Sequence, residues 1–348
     1  MDKFLPYEDY LGLTIQEKAS LLFEKLSTLQ VEELGMPYYC AEYFKGSHYK
    51  RLFFSIETSA HLLYRSISAT KKPIQEMVIM DYGAGVGTLY TLAKMIGCRQ
   101  VIYNDHLEDW KQSAQLIAEA IGVQVDEYIV GDIDETLAGL KEKNIQCSII
   151  TSRNVVEHIY KLDHFYSAIA THQPGALVYS STTANYKNPG SRIKHWFWHQ
   201  KWEKQYKKQR KKMITEIAPG LSETEVNNLT ALTKGMAGKD IEESILQYLT
   251  TKNFPIPIPV RSNTCDPSNG VWAEHLLKFE EYEKLIGTHN YTVRFGPGFW
   301  DTHYSKEWKN SLGKMLNNLI ARNQSIAFMI APFIYVMAES KKIKDLKK

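Results

Sequence analysis

The sequence is sparing with cysteine: Cys40, Cys98, Cys147 and Cys265 are the only four in 348 residues. They form no CxxC pair and no zinc-type spacing, which excludes a disulfide framework and a structural zinc site. Long apolar runs are also missing. No stretch approaches the roughly 18 apolar residues that a membrane span requires, so no spanning helix and no membrane partner are expected. The opening MDKFLPYEDY carries early acids and lacks an apolar h-region, so it does not read as a secretory signal. Charge of one sign is lacking too: Lys+Arg 42 against Asp+Glu 39 leaves +3. No global field therefore demands nucleic acid or an anionic membrane. A reducing, cytoplasmic setting is the expectation.

What is present is an ordinary globular composition, 44% hydrophobic and 23% charged. At about 150 residues per domain the chain holds two domains, or one large domain with insertions. Aromatic residues reach 12%, with 21 Tyr and 7 Trp.

Five segments follow from the patterning. Residues 1–72 read as an N-terminal helical cap, with helical spacing over Ile15–Leu29 and His48–Ile67 and a break at Met36–Tyr39. Residues 73–185 alternate short apolar runs with helical stretches. Strands are predicted at Met77–Met80, Val101–Tyr103, Tyr128–Val130, Cys147–Thr151 and Ala176–Ser180. Steps of this kind mean βαβ units and a parallel sheet. Residues 186–279 break the rhythm with helices over His195–Met213, Ser222–Leu232 and Asp240–Leu249, then an extended Pro255–Pro259 connector. Residues 280–340 resume with a helix at Glu280–Gly287 and strands at Tyr291–Phe295 and Ile330–Met337, and 341–348 form a charged tail.

The informative stretch is Val78–Thr88, in which a strand runs into Gly83, Gly85 and Gly87 and then into a helix. Glycine permits positive φ and close approach of a ligand. The dinucleotide fingerprint GxGxxG would place its third glycine at 88, where Thr88 stands. The observed GxGxG, with Asp81 two residues ahead, resembles motif I of class I S-adenosylmethionine-dependent methyltransferases of the small-molecule type.

The resemblance extends along residues 77–185, with weaker agreement over 280–338. It implies an α/β fold, a Rossmann-like, mostly parallel seven-stranded sheet flanked by helices, with the N-terminal helices and the insertion forming a cap. It implies S-adenosyl-L-methionine as cofactor, held by Asp81, Gly83, Ala84, Gly85 and Gly87. Asn104, Asp105 and His106 end the second strand, where the family's acid grips the ribose hydroxyls. Gly131, Asp132 and Ile133 follow the third, where an Asp meets the adenine amino group and an apolar residue packs on the ring. Arg153 and Asn154, opening Ser152–Ile159, follow the fourth, which resembles the family's N-V-L-E-H-I stretch. His158 is the implied candidate for general base, since imidazole titrates near neutral pH.

Each position also has a plainer role. Asp105 suits a helix cap and Asp132 a turn. Arg153 departs from the small or polar residue of the family; it reaches an acidic substrate or points to solvent. His195 and His199 lie four apart but lack the further ligands of a zinc site, so no metal is expected. Trp196, Phe197, Trp198 and Trp202 read as contacts of an inserted helix or as the lining of an acceptor lid. Lys201–Lys212 reads as a solvated helix face in preference to a phosphate or nucleic-acid contact, given the small net charge. Arg261–Trp272 and Gly296–Asp301 are polar, turn-rich loops with no assigned role.

The expected activity is methyl transfer to a small-molecule acceptor, aromatic or apolar in body, at a hydroxyl oxygen. The Asn/Asp-Pro-Pro-Tyr stretch of base-methylating enzymes is replaced by Ser152-Arg153-Asn154-Val155, which makes a nucleic-acid acceptor the lesser reading. The alternatives are an NAD(P)-dependent oxidoreductase, a non-catalytic methyltransferase-like binding subunit, and an RNA methyltransferase. Oligomeric state is not legible.

Overall fold

The computed structural model describes residues 3–258 and 263–341. Part of the charged tail, Pro259 of the proline connector, and Arg261 and Ser262 lie outside the described residues. Contacts divide the chain into two units. The first comprises Met1–Val155, Asp163–Thr182 and the chain from Tyr282 onward; the second comprises Val156–Leu162 and Thr183–Glu281.

In the first unit, α1 (Tyr10–Ser27) is started by Asp9, whose Oδ1 accepts the Gly12 N–H at 2.7 Å. A short α2 (Tyr38–Tyr43) leads through a π turn and a 3₁₀ turn to α3 (Leu52–Thr70). The expected helix from His48 thus begins only at Leu52, because Arg51, at φ −127°, leaves the helical region. β1 (Val78–Asp81), α4 (Leu89–Met95), β2 (Gln100–Asp105), α5 (Glu108–Ala120), β3 (Glu127–Val130), α6 (Ile133–Glu142) and β4 (Ile149–Arg153) then alternate. α7 (Leu162–His172) and β5 (Leu177–Thr182) complete that run.

The second unit holds α8 (Pro189–Ile217), α9 (Glu223–Leu232) and α10 (Gly238–Thr251). α8 is longer than periodicity suggested because Asn188 caps it, accepting the Ser191 N–H at 3.1 Å, and Pro189 supplies a first residue that needs no N–H partner. Ser222 and Glu225 form a capping box on α9. Ile214, Leu229, Ile241 and Ile245 are fully buried among these three helices and give the unit its own core.

α11 (Phe279–Gly287) leads back into the first unit, followed by β6 (Tyr291–Pro297), α12 (Glu307–Arg322), α13 (Gln324–Ile330) and β7 (Ile334–Ser340). β7 starts four residues later than expected. Pro332 has no N–H to give a ladder, so pairing waits until Ile334 meets Pro297 and Thr182. α12 and α13 were not foreseen.

The sheet order is β3-β2-β1-β4-β5-β7-β6. β1 to β5 run parallel, and β7 is antiparallel to both β5 and β6. This is the seven-stranded sheet that the class I resemblance implied, mixed where β7 reverses. The reversal follows from register: Pro297 and Ile334 are partners, so residues 298–333 leave and rejoin the sheet at one end. That end carries the carboxyl termini of β1–β5. Sheets of this kind bind ligands there, where strand order switches between β1 and β4. β1 is buried along its whole length, as a central parallel strand should be.

Candidate functional site

The site is built where β1 ends. Asp81 is buried, and its Oδ2 accepts the Tyr90 N–H at 3.2 Å, tying the strand to the first turn of α4. Burial pushes the Asp81 carboxyl up to about 7, against the opposing pull of the Arg153 guanidinium.

The loop that follows turns on Gly83 at φ +67° and Gly85 at φ +51°. A Cβ on Gly83 would come within 2.7 Å of the Val155 side chain, whereas one on Gly85 would meet nothing within 4 Å. Gly85 therefore faces open space. The loop is pinned to β2 by three N–H donors. Gly83 donates to Asn104 Oδ1 at 3.4 Å, Ala84 to the Asn104 carbonyl at 2.8 Å, and Gly85 to Asp105 Oδ2 at 2.9 Å. Gly87 closes it by donating to the Ala84 carbonyl at 2.8 Å.

Asn104 and Asp105 divide the work at the end of β2. Asn104 is buried, and its amide donates to the Ile129 and Gly131 carbonyls and to Thr136 Oγ1. Its side chain is thus spent beneath the loop. Asp105 is also buried, with Oδ2 on the glycine loop and Oδ1 taking the Leu107 N–H at 3.3 Å. His106 Nδ1 lies 3.1 Å from the same Oδ1, and that contact raises the imidazole pKa while most of the ring stays exposed.

Gly131 adopts φ +141° and donates to the Asp105 carbonyl at 3.0 Å. Asp132 caps α6: Oδ1 accepts the Asp134 N–H at 2.9 Å, and Glu135 returns a bond to the Asp132 N–H. A turn residue is the plainer expectation here; the structure makes it a helix cap, and this leaves Oδ2 without a bond among the described residues. Ile133 is buried beside it.

Arg153 ends β4 and corrects one expectation. It points not to solvent but onto α3, where Nη1 donates to the Ser55 carbonyl at 2.7 Å and to Thr58 Oγ1 at 2.9 Å. Asn154 follows at φ +57° and donates its N–H to the Ser181 carbonyl at 2.8 Å. Thr88, in the place of a third glycine, packs its hydroxyl on Ser59 Oγ at 2.9 Å.

α3 contributes residues that sequence reasoning passed over. Glu57, on the same helix as Ser55 and Thr58, has an oxygen buried without a partner among the described residues; burial, and secondarily Asp301, push its carboxyl up to about 8. Asp301 accepts from Arg51 at 3.3 Å. His48, in the turn before α3, has Nε2 buried without a partner among the described residues, and burial drives its pKa down to about 3, helped by Arg153. No local pattern marks these residues, because their neighbours lie up to 250 positions away.

In the second unit, His158 turns Nδ1 to the Trp272 carbonyl at 2.7 Å. A carbonyl only accepts, so Nδ1 carries the proton and Nε2 keeps its lone pair. His195 faces the Ser191 carbonyl at 2.6 Å through Nδ1 and Glu274 through Nε2. His199 Nε2 meets the Ala273 and Glu274 carbonyls. Both are buried and engaged with protein groups. Among the described residues no three His, Cys, Asp or Glu side chains gather as metal ligands would, and no helix is long and apolar enough to cross a membrane.

No family model matches the chain, and no curated protein does. Solved structures do show similarity. A S-adenosylmethionine-dependent methyltransferase from Clostridium acetobutylicum overlaps 86% of this chain and 98% of its own, at 10% identity and TM-score 0.42. One from Mesorhizobium loti overlaps 80% and 97%, at 12% identity and TM-score 0.38. Magnesium protoporphyrin IX methyltransferase from Synechocystis, with bound SAH, overlaps 86% and 97%, also at 12% and 0.38. Likeness at this level leaves cofactor and acceptor to be argued from the chain's own residues. The strand order, the reversed β7 and the glycine turn after β1 agree with the seven-stranded Rossmann-like sheet that the sequence resemblance implied.

Proposed function

We propose that the chain binds S-adenosyl-L-methionine at the carboxyl ends of β1–β4 and transfers its methyl group to a small-molecule acceptor, at a hydroxyl oxygen. One observation carries the reading: the Gly83–Gly87 turn is pinned by Gly85 N–H to the buried Asp105 carboxylate, while Gly85 itself borders open space. A carboxylate has about four lone-pair sites. Asp105 uses some on backbone N–H groups and can offer the rest to a vicinal diol. Asp132 Oδ2 is available to an amino group at the end of β3, with Ile133 beside it.

The cofactor, when bound, supplies a methyl group already activated by its sulfonium. The chain's task is then to hold that end still, exclude water and align the nucleophile. Asp81 and Arg153 set opposite charges beside the loop, a match for the two charged ends of an amino acid. For a hydroxyl acceptor a proton must leave, and His158 is the proposed base, since the Trp272 carbonyl fixes Nδ1–H and leaves Nε2 basic. The acceptor's apolar or aromatic body is argued from the aromatic content of residues 1–72 and 186–279.

Calorimetric titration of the intact protein with S-adenosylmethionine, S-adenosylhomocysteine and NADH tests this. Binding of both sulfur ligands, lost in Asp105→Ala, supports the reading. Binding of NADH alone points to an oxidoreductase, and binding of none removes the cofactor assignment.

A further inference from the structure

The outward face of α8 carries a feature that methyl transfer does not use. The helix is 29 residues, about 43 Å at 1.5 Å per residue, and buries His195, His199, Tyr206, Arg210 and Ile214 along one side. At about 100° per residue the opposite side presents Ile193 and Phe197, then Lys201, Lys204, Lys208 and Lys211. Ile193 and Phe197 are each 61% exposed and the adjoining Trp196 50%.

The basic part is largely uncompensated. Of the two carboxylates on α8, Glu203 is bonded to the buried Arg210, and Glu216 pairs with Lys212. Lys201, Lys204, Lys207 and Lys208 are exposed and face no carboxylate among the described residues. A chain total of +3 conceals this local field.

We propose that this face binds the surface of an anionic lipid bilayer, with Ile193, Trp196 and Phe197 entering the headgroup boundary and the lysines lying on the anionic headgroups. An apolar-tipped helix with a lysine stripe matches a plane of negative charge. Single-stranded nucleic acid fits less well, because it needs free ring faces interleaved with cations. Here the Lys194 ammonium sits 4.1 Å over the Trp198 ring, and Trp202 is stacked on Tyr206. Trp196 and Phe197 meet edge to face at 4.9 Å beside an aliphatic Ile193, forming a wedge.

Flotation of the intact protein with vesicles of phosphatidylcholine, with and without phosphatidylserine, tests the assignment. Binding is expected only to the anionic vesicles, falling as salt rises. Lys204→Gln with Lys208→Gln should weaken it about thirtyfold, taking the usual contribution of a lysine at an anionic surface. Trp196→Ser with Phe197→Ser should weaken it by about tenfold or more. Circular dichroism melts confirm that both variants fold, and the salt dependence of the unaltered protein tests the charge argument without any variant. Binding to neither vesicle, binding indifferent to phosphatidylserine or salt, or binding unchanged in both variants overturns the proposal. Tight binding to polyuridylate that is lost in the lysine variant, without vesicle binding, assigns the face to nucleic acid instead.

Discussion

Arg153, at the carboxyl end of β4, donates to Thr58 Oγ1 at 2.9 Å across 95 residues of sequence, and the same nitrogen reaches the Ser55 carbonyl. This contact fastens α3 to the strand end beside the glycine loop, and the guanidinium also counters the buried Asp81 carboxyl. The N-terminal helices are thereby coupled to the site by one cation. Replacing it with Arg153→Met should remove both bonds to α3 and the charge facing Asp81, while the Ser55 carbonyl keeps the Ser59 and Thr88 hydroxyls. A loss of about 1.5–3 kcal/mol in urea unfolding is expected, the usual contribution of hydrogen bonds to a charged group. Arg153→Lys should recover only part of it, since the ammonium sits on a shorter stem than the Nη1 that makes both bonds.

The glycine loop gives a graded series. Gly85→Ala adds a Cβ into open space and carries only the cost of φ +51°, about 1–2 kcal/mol. Gly87→Ala would push its Cβ within 2.7 Å of the Ala84 carbonyl oxygen, which is backbone and cannot yield. Gly85→Ala should therefore keep the fold while weakening cofactor binding, and Gly87→Ala should lower both. Thermal melts beside calorimetric titrations separate the two effects.

How far the sequence disclosed this site depends on how local its contacts are. The strand, the turn and the helix of residues 78–95 could be read because apolar runs and glycine spacing act within about fifteen positions. Asp105 and Gly131 were legible as strand ends. The fates of Asn104, turned beneath the loop, and Arg153, turned onto α3, were not, because each is decided by partners 21 to 98 residues away. Glu57, His48 and Asp301 carry no pattern at all. α12 was missed although Trp308, Leu312, Met315 and Leu319 recur at helical spacing; all four stay exposed, and only Gly313 and Ile320 of this helix are buried.

Removing Asp105 should test the cofactor site without dismantling the sheet. Asp105→Asn keeps the shape and loses the charge. Hydrogen bonds to a charged acceptor contribute about 1.5–3 kcal/mol each, so affinity for S-adenosylhomocysteine should fall about ten- to hundredfold. The far-ultraviolet spectrum should stay unchanged. An unaltered affinity would mean that Asp105 only holds the loop.

Stability should peak near neutral pH, for reasons that can be signed group by group. Asp81 and Glu57 have folded values raised to about 7 and about 8, well above their usual ones of 3.8 and 4.5. The native state therefore binds more protons than the unfolded chain in that window, and stability falls as pH rises toward 8. His48, His61 and His275 are depressed by burial to about 3, 3 and 4 from 6.5, so their contribution is complete above 6.5 and is lost as pH falls toward those values. Urea midpoints should decline on both sides of about pH 6.5, and Glu57→Gln should flatten the alkaline limb. A midpoint that keeps rising from pH 6.5 to 8 would show that Asp81 and Glu57 titrate normally.

The second unit rests on another buried cation. Arg210 is 1% exposed and donates from Nη2 to Glu203 at 2.6 Å and from Nε to the Thr230 carbonyl at 3.4 Å, near the end of α9. Glu203 in turn takes the Thr264 hydroxyl. The three side chains form one network, so removing its only cation should cost more than removing its neutral member. Arg210→Met should leave Glu203 half-buried without a counter-charge and lower the stability of this unit by about 3 kcal/mol. Thr264→Val should lower it by about 1 kcal/mol, the usual contribution of one hydrogen bond. Hydrogen exchange read by mass spectrometry separates these, since protection should fall across α8, α9 and α10 while β1 to β5 keep theirs. Loss of protection throughout the sheet would mean that the two units unfold together.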